Sequence, residues 1–292
     1  MPRSAEAVTH GAVTIVNAMA TGMGAALGIK LWSRAKVTIT DQAGAFTGLN
    51  LDRGDKTDLA GATAQRVFQR FGVSKRLGAI VETQSNIPIA VGLKSSSAAS
   101  DAVALACVKA LGRETNDIET VRLAVEGSLK AGVTLTGAYD DACACYFGGL
   151  VITDNTHRKI LKRFKPGGRL RVLIHVPRQR RYTRDVDPTP LRDLRSLVQV
   201  AHREALRGNY WNSLTLNGLI CSKAFGFDST PAQEALCAGA LAAGLTGKGP
   251  AVAAIIPYSK RDTVRAAWRR LKGQTIETAF NFQKAKATRL AS

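Results

Sequence analysis

The most informative segment of the chain reads Pro88-Ile89-Ala90-Val91-Gly92-Leu93-Lys94-Ser95-Ser96-Ser97-Ala98-Ala99. An apolar run at residues 77–81 precedes it and predicts a buried strand, and apolar residues at helical spacing follow it. The serines therefore fall at a predicted helix N-terminus, where unpaired N–H groups and the helix dipole attract anions. Because Gly92 lets backbone approach a ligand closely, the pattern predicts a phosphate cradle. A serine-capped helix after a tight turn is the simpler alternative.

The composition is that of a folded, basic protein. Its 292 residues carry 41 Lys and Arg against 22 Asp and Glu, which gives a formal net charge of +19. This excess favours anionic partners, such as a nucleotide, a phosphorylated or carboxylate substrate, or a nucleic acid. The basic residues are scattered along the chain and aromatic residues make up only 6% of it, which argues against nucleic acid as the main partner.

Cysteine usage and hydropathy indicate a cytoplasmic protein. The cysteines form no CxxC pair, so we expect small buried thiols in a reducing compartment. Residues 11–31 are nearly uncharged, but they consist largely of Gly, Ala and Thr and include Asn17. They therefore predict a strand, at 11–17, and a ligand-facing glycine loop, at 20–28, rather than a membrane span. No signal peptide is recognised.

Acidic residues in the middle of the chain are candidates for chemistry. The sequence Asn116-Asp117-Ile118-Glu119 resembles a capping box and predicts a helix that carries Glu126 beside its apolar face. A surface carboxylate is the simpler interpretation of Glu126. Asp140 and Asp141 precede an apolar segment, where adjacent acids either complement a helix dipole or hold a base near a substrate.

The composition changes near residue 155, where alanine and glycine give way to arginine, and this change predicts a domain boundary. The second half contains a predicted strand at 170–176, several helical patterns, and the turn Thr246-Gly247-Lys248-Gly249-Pro250 before a further strand. Strands are mixed with helices in both halves. The sequence therefore predicts an α+β fold rather than a regular α/β alternation.

Motifs in three regions resemble those of the GHMP kinases, the superfamily that includes galactokinase, homoserine kinase and mevalonate kinase. Residues 88–99 are similar to the ATP loop of that superfamily, residues 246–251 to its C-terminal glycine loop, and the strand at 13–17 occupies the place of its N-terminal motif. Within the superfamily, Gly-Leu-Lys-Ser-Ser-Ser, the opening Thr-Ile-Val-Asn-Ala-x-Ala-Thr-Gly and Gly-Ala-Tyr-Asp-Asp resemble the archaeal-type shikimate kinases.

The resemblance implies a two-domain α+β fold, with residues 1–155 as the N-terminal ATP-binding domain, residues 156–292 as the C-terminal domain, and ATP in the cleft between them. It implies phosphoryl transfer from ATP to the 3-hydroxyl of shikimate, a reaction that depends on positioning and charge neutralisation. The residues that it implies in ATP binding are Pro88, Gly92, Leu93, Lys94, Ser95, Ser96, Ser97, Ala98, Gly247, Lys248 and Gly249.

The resemblance also implies a metal site and a base. Ser96 and Glu126 would help to hold Mg²⁺, which prefers oxygen ligands. Counting from the glycines after the acidic pair places Asp141 on the catalytic aspartate of the superfamily, whereas counting from the glycine before it favours Asp140. We prefer Asp141 as the base or orienting residue for the acceptor hydroxyl and keep Asp140 as the second choice.

One departure from the superfamily is Ala12, where galactokinase and mevalonate kinase carry Arg or Lys. Lys248 is a candidate for part of that charge, although a solvent-facing lysine is its simpler interpretation. The carboxylate of shikimate suits a planar guanidinium. The candidates for the acceptor are Arg178, Arg180, Arg181 and Arg184 for the carboxylate and Asn17, Thr21 and Tyr139 for the ring hydroxyls.

Two other functions are compatible with these residues. Homoserine kinase is the nearest alternative on the same fold. An RNA-binding module is the alternative from another class, because the chain is basic and half of this fold resembles that of ribosomal proteins.

Overall fold

The computed structural model describes residues 4–134, 136–181 and 186–291. The strands of these residues are β1 (Ser4–Val16), β2 (Met23–Thr40), β3 (Phe46–Asn50), β4 (Asp55–Lys56), β5 (Gly78–Ser85), β6 (Leu150–Asp154), β7 (Lys159–Phe164), β8 (Leu170–Val176), β9 (Ala242–Leu245), β10 (Val252–Pro257), β11 (Gln274–Thr278) and β12 (Lys286–Arg289). The helices are α1 (Asp58–Arg70), α2 (Ser95–Ala110), α3 (Asp117–Lys130), α4 (Tyr139–Phe147), α5 (Thr189–Asp193), α6 (Arg195–Leu206), α7 (Tyr210–Phe225), α8 (Thr230–Cys237) and α9 (Arg261–Trp268).

The strands form two sheets within the described residues. The larger sheet has the order β12-β1-β2-β5-β3-β4, and β2 also pairs with β6, which pairs with β7. The smaller sheet has the order β11-β8-β10-β9 and is antiparallel throughout. Helices α1 and α2 pack on the larger sheet and α7 to α9 pack on the smaller one. The predicted α+β class is confirmed.

The long strand β2 corrects the predicted glycine loop. Gly24 and Gly28 lie inside this strand, and only Gly22, with φ of +75°, lies in the turn before it. A Cβ at Gly24 would overlap the Asp140 carboxylate, and one at Gly28 would lie 3.0 Å from the carbonyl oxygen of Ala144. The glycines therefore allow helix α4 to approach the sheet closely, and the prediction that they form a ligand-facing loop was wrong.

Local signals at the helix ends are confirmed. Helix α2 begins at Ser95, and Asn116 caps α3 by accepting a hydrogen bond from the Glu119 backbone N–H at 2.8 Å. The carboxylate of Glu119 binds Arg70 instead of completing a capping box. Short-range chemistry was therefore sufficient to place both helix starts.

The change between sheets does not fall at residue 155. Strands β6 and β7 form a hairpin on either side of that position and belong to the larger sheet, to which β12 also returns. The smaller sheet begins at β8 and ends with β11. The hairpin of β6 and β7 thus crosses residue 155 within one sheet, and the domain bounds 1–155 and 156–292 stay a prediction.

The segment at 11–31 belongs to β1, β2 and the turn between them. Among the described residues, no helix has both the length and the apolar character needed to cross a membrane. The cysteines at 107, 143, 145 and 221 are buried, as expected for structural thiols, whereas Cys237 is exposed, contrary to the expectation.

One buried carboxyl group makes a testable contribution to stability. Asp101 lies in α2 with no exposed surface, and neither carboxylate oxygen has a hydrogen-bond partner among the described residues. Burial raises the pKa of Asp101 well above its usual value of 3.8. As the pH rises above 3.8, the unfolded chain releases this proton while the folded protein retains it, so the free energy of unfolding falls until the folded-state pKa is passed.

We therefore expect Asp101→Asn to have a more favourable effect on the free energy of unfolding at pH 8 than at pH 4. The difference between the two effects should be at least about 1 kcal/mol. Thermal unfolding at both pH values measures this difference. The matched control is Asp262→Asn, because the Asp262 side chain is 90% exposed and this variant replaces no buried carboxylate. An Asp101→Asn effect that is the same at both pH values would contradict the prediction.

Candidate active site

The phosphate loop, residues 88–97, connects β5 to α2. Its backbone adopts left-handed conformations at Ala90, Gly92 and Lys94, with φ of 62°, 89° and 66°. These conformations turn the chain so that α2 begins at Ser95, and the serines at 95–97 line a cavity. The first turn of a helix that faces a cavity in this way suits a phosphate group.

The closing loop, residues 246–250, lies directly against the phosphate loop. The Thr246 hydroxyl donates to the carbonyl oxygen of Gly92 and accepts from the backbone N–H of Thr14, both at 3.0 Å. The backbone N–H of Gly247 in turn donates to the Thr14 hydroxyl at 2.8 Å. The regions at 13–17, 88–99 and 246–251, far apart in sequence, are therefore hydrogen-bonded into one structure.

A buried ion pair lies where these loops meet helix α4. The Lys94 ammonium is 3.0 Å from Oδ1 of Asp141, and their side chains are only 7% and 15% exposed. A Cβ at Gly247 would lie 2.9 Å from this ammonium, so the glycine leaves the space that the lysine needs. Burial, reinforced by the charge of Lys94 and opposed by Asp141, lowers the pKa of Lys248 to about 8.

Asp140 points away from that ion pair. Its Oδ1 accepts a hydrogen bond from the Asn155 side-chain amide at 2.7 Å, and its backbone N–H donates to the amide oxygen of Asn155. Asp140 is only 4% exposed, and burial together with the charge of Asp141 raises its pKa to about 7. These contacts describe a residue that anchors the start of α4 to the sheet.

Two adjoining cavities share the ion pair. The outer cavity is lined by the phosphate loop, the closing loop and the segment at 131–134 after α3. The inner cavity is lined by Thr14, Asn17, Ala18, Met19, Thr134, Thr136, Ala138 and Asp140. Lys94, Asp141 and Lys248 line both cavities. A group bound in the outer cavity and a second molecule in the inner one would therefore meet at Asp141.

Comparison with known proteins identifies this arrangement. The pattern of the GHMP kinases N terminal domain matches residues 58–149, and that of the GHMP kinases C terminal domain matches residues 231–273. A shikimate kinase of Methanothrix thermoacetophila is 40% identical, over 96% of this chain and 95% of the relative. This chain is a GHMP kinase. A shikimate kinase of Pyrococcus furiosus is 41% identical, over 92% of the chain and 96% of the relative.

Solved structures of other GHMP kinases have the same fold at much lower identity. The homoserine kinase of Cytophaga hutchinsonii has a TM-score of 0.75 at 18% identity, over 99% of this chain and 98% of the other. The mevalonate kinase of Methanococcus jannaschii has a TM-score of 0.75 at 14% identity, over 94% of this chain and 98% of the other. The GHMP kinase assignment identifies an ATP-dependent small-molecule kinase.

The predicted metal site of this GHMP kinase is not assembled as expected. The Glu126 carboxylate binds Arg66 at 2.6 Å and Arg158 at 3.0 Å, in a surface groove that Ser96 does not line. The structure therefore does not bring Glu126 and Ser96 together in one cavity, and the metal site that pairs them stays a prediction. Ser96 and Asp141 both line the outer cavity, and hydroxyl and carboxylate oxygens are ligands that suit Mg²⁺.

The predicted nucleotide residues divide into two groups. Gly92, the residues at 94–97 and the residues at 247–249 line the outer cavity. Leu93 and Ala98 are buried beneath the loop, and Pro88 does not line the cavity among the described residues. The last three support the loop rather than face a ligand.

The side chains predicted to bind the ring hydroxyls of the acceptor form hydrogen bonds within the protein or lie in its core. The Asn17 side chain donates to the carbonyl oxygen of Gly247 at 3.0 Å and accepts from the backbone N–H of Met19. The Thr21 hydroxyl bonds the backbone of Met23, and Tyr139 is 1% exposed in the core. Asn17 lines the inner cavity, whereas Thr21 and Tyr139 do not, and the role of these residues toward the acceptor stays a prediction.

The candidate arginines do not line the inner cavity among the described residues. Arg178 and Arg180 are exposed, and Arg184 lies outside the described residues. Arg181 lines the outer cavity, donates to the carbonyl oxygens of Ala90 and Phe225, and covers an aromatic ring at 5.1 Å. Arg181 therefore lies at the outer cavity of this GHMP kinase and not at the inner one.

Two features of the site lacked a recognisable sequence signal. Thr134 lines both cavities and Thr136 lines the inner one, although both lie in a loop without a motif. Asn155 holds Asp140 from the far end of strand β6. In the sequence, only the proximity of Thr136 to Asp140 and Asp141 could have indicated that these threonines belong to the site.

Proposed function

We propose that this GHMP kinase transfers the γ-phosphoryl group of ATP to the 3-hydroxyl of shikimate, giving shikimate 3-phosphate and ADP. The observation that carries the proposal is the position of Asp141, which lines both the cavity of the phosphate loop and the inner cavity. The shikimate kinase names of relatives about 40% identical support this choice of acceptor.

In the proposed reaction, Asp141 acts on the acceptor hydroxyl. Its carboxylate accepts the hydroxyl proton as the hydroxyl oxygen forms a bond to the γ-phosphorus. The bond from that phosphorus to the β,γ-bridging oxygen breaks, and its electron pair leaves with ADP. Because Asp141 lies beside Lys94 in a partly dehydrated site, its negative charge is balanced before the proton arrives.

The other residues position the triphosphate and neutralise its charge. The serines at 95–97 and the helix end behind them receive phosphate oxygens, and the closing loop covers the opposite side. Ser96 and Asp141, together with the phosphates, would hold Mg²⁺, which would supply further charge neutralisation. Asp140 fixes the start of α4 and thereby the direction of Asp141.

An acceptor screen monitored by ADP release tests the proposal. With ATP and Mg²⁺ present, we expect turnover with shikimate and a kcat/KM for homoserine that is lower by at least about 10³-fold, since a site built for one polar acceptor rejects another by this order. The phosphorylated product should carry the new ester at the 3-hydroxyl. Turnover of homoserine alone, or of neither compound, would refute shikimate as the acceptor.

A further inference from the structure

Arg181 brings a positive charge to the outer cavity from the segment that follows β8. It lines this cavity together with Gly92, the serines at 95–97 and Gly249. A triphosphate bound there carries several negative charges, which the protein must compensate because the site is partly dehydrated. The first turn of α2 offers N–H groups and only a partial positive charge, so a guanidinium at the same cavity adds a full charge.

The guanidinium of Arg181 is fixed to the C-terminus of α7. Its Nη1 donates a hydrogen bond at 3.0 Å to the carbonyl oxygen of Phe225, the last residue of that helix. Carbonyl groups in the last turn of a helix lack partners within the helix and carry the negative end of its dipole, so a cation is favoured there. The guanidinium carbon also lies 5.4 Å from the centre of the Phe225 ring and 5.1 Å from that of the Phe227 ring, within the range of cation–π contacts.

These contacts order the side chain of Arg181 without neutralising it. Its side-chain partners among the described residues are a carbonyl oxygen and two aromatic rings, and none of these carries a net charge. A guanidinium has five N–H groups in a planar fork that matches two oxygens of a phosphate group, and the contact with Phe225 uses one nitrogen. A cation that is already ordered loses little conformational entropy when an anion binds to it.

Arg181 also contacts both structures that enclose the outer cavity. Its backbone N–H donates a hydrogen bond to the carbonyl oxygen of Ala90 in the phosphate loop at 2.9 Å. The Phe227 ring, over which its guanidinium lies, packs against the closing loop, where a Cβ at Gly249 would be 2.6 Å from the ring. The position of the guanidinium relative to the two loops is therefore set by direct contacts.

We propose that Arg181 is a phosphate-binding residue of the nucleotide site, whose planar guanidinium donates hydrogen bonds to two oxygens of the triphosphate of ATP. The sequence suggested this arginine for the carboxylate of the acceptor, but Arg181 does not line the inner cavity, which is where the acceptor is proposed to bind. The inference rests on the part of the proposed function that places ATP in the outer cavity, and not on the choice of shikimate as the acceptor.

Equilibrium binding of ATP with Mg²⁺, measured without an acceptor, tests the inference. We expect Arg181→Met to raise the Kd for ATP by about 10- to 100-fold, the range for charge-assisted hydrogen bonds to one phosphate group. The Kd for adenosine, which has no phosphate, and the KM for shikimate should each change by less than about threefold, because neither ligand offers a phosphate to this arginine. The matched control is Arg203→Met, which removes an exposed arginine of α6 that lines neither cavity and should leave all three values unchanged.

Three results in Arg181→Met would overturn the inference. Equal losses of affinity for ATP and adenosine would show that Arg181 acts on the base and ribose or on the shape of the whole site. An unchanged Kd for ATP with a raised KM for shikimate would assign Arg181 to the acceptor carboxylate. Unchanged binding of both ligands, with only a lower thermal stability, would limit its role to the end of α7. If the wild type does not phosphorylate shikimate but the variant shows the expected loss of ATP affinity, the acceptor is refuted and the role of Arg181 is supported.

Arg181→Lys keeps the inference testable should Arg181→Met not fold. Lysine retains a positive charge at the end of α7 but lacks the planar fork that binds two phosphate oxygens. We therefore expect the Kd for ATP to rise by about three- to tenfold, while the Kd for adenosine stays unchanged. A Kd for ATP equal to that of the wild type would contradict the inference, because the guanidinium would then have no specific part in binding the phosphates.

Discussion

Replacing Asp141 by Asn lowers kcat with shikimate by about 10³-fold, because an amide cannot accept the hydroxyl proton and general-base catalysis contributes about this much. Shape and packing are nearly unchanged, so we expect little change in thermal stability. Steady-state ADP release measures kcat, and thermal unfolding verifies that the variant is folded.

The matched variant is Asp140→Asn, because the two carboxylates are adjacent but lie in different environments. Asp140 accepts a hydrogen bond from Asn155 and so holds the start of α4 in place. Replacing it should therefore reduce kcat by less than about tenfold. If Asp140→Asn removed turnover while Asp141→Asn retained it, the roles would be reversed. Full activity in both variants would exclude either residue as the base.

Replacing Lys94 by Met lowers kcat by about 100-fold, since the variant removes both the counter-charge of Asp141 and a cation from the phosphate loop. The ion pair is buried, so its loss leaves the Asp141 carboxylate without its counter-charge in a largely dehydrated site.

The control for Lys94→Met is Lys109→Met, an exposed lysine at the other end of the same helix, which should change kcat by less than about twofold. Thermal unfolding of both variants separates a catalytic loss from a folding loss. A kcat within about threefold of the wild type in Lys94→Met would show that another group balances the charge of Asp141.

The ion pair of Lys94 and Asp141 also bears on Ala12, the position at which galactokinase and mevalonate kinase carry a basic residue. Ala12 is fully buried in β1, and its backbone N–H points to the carbonyl oxygen of Leu93, which directly precedes Lys94. The Lys94 ammonium thus provides a positive charge beside Asp141 without any basic side chain at position 12. In the sequence, Lys94 belongs to the phosphate loop, and nothing in its local pattern indicates a contact with an aspartate 47 positions later.

The direction in which Glu126 points depends on the rotation of helix α3 about its axis. Gly127 faces Thr63 of α1, where a Cβ would overlap that side chain, and Ser128 faces Ser100 of α2 at 2.9 Å. Each residue in a helix is rotated by about 100° from the last, so these contacts turn Glu126 towards Arg66 and away from the phosphate loop. Apolar periodicity alone does not fix such a rotation.

Local chemistry in the chain was enough to predict the phosphate loop, the helix that follows it, the cap of α3 and the α+β class, because each depends on neighbouring residues or on a regular apolar period. Packing between distant segments determined the rest. It decided which aspartate lines both cavities, which lysine accompanies that aspartate, and which sheet receives the strands after residue 150. These outcomes depend on close contacts such as Gly24 with Asp140 and Gly247 with Lys94, and contacts between residues more than 100 positions apart have no period or motif in the sequence.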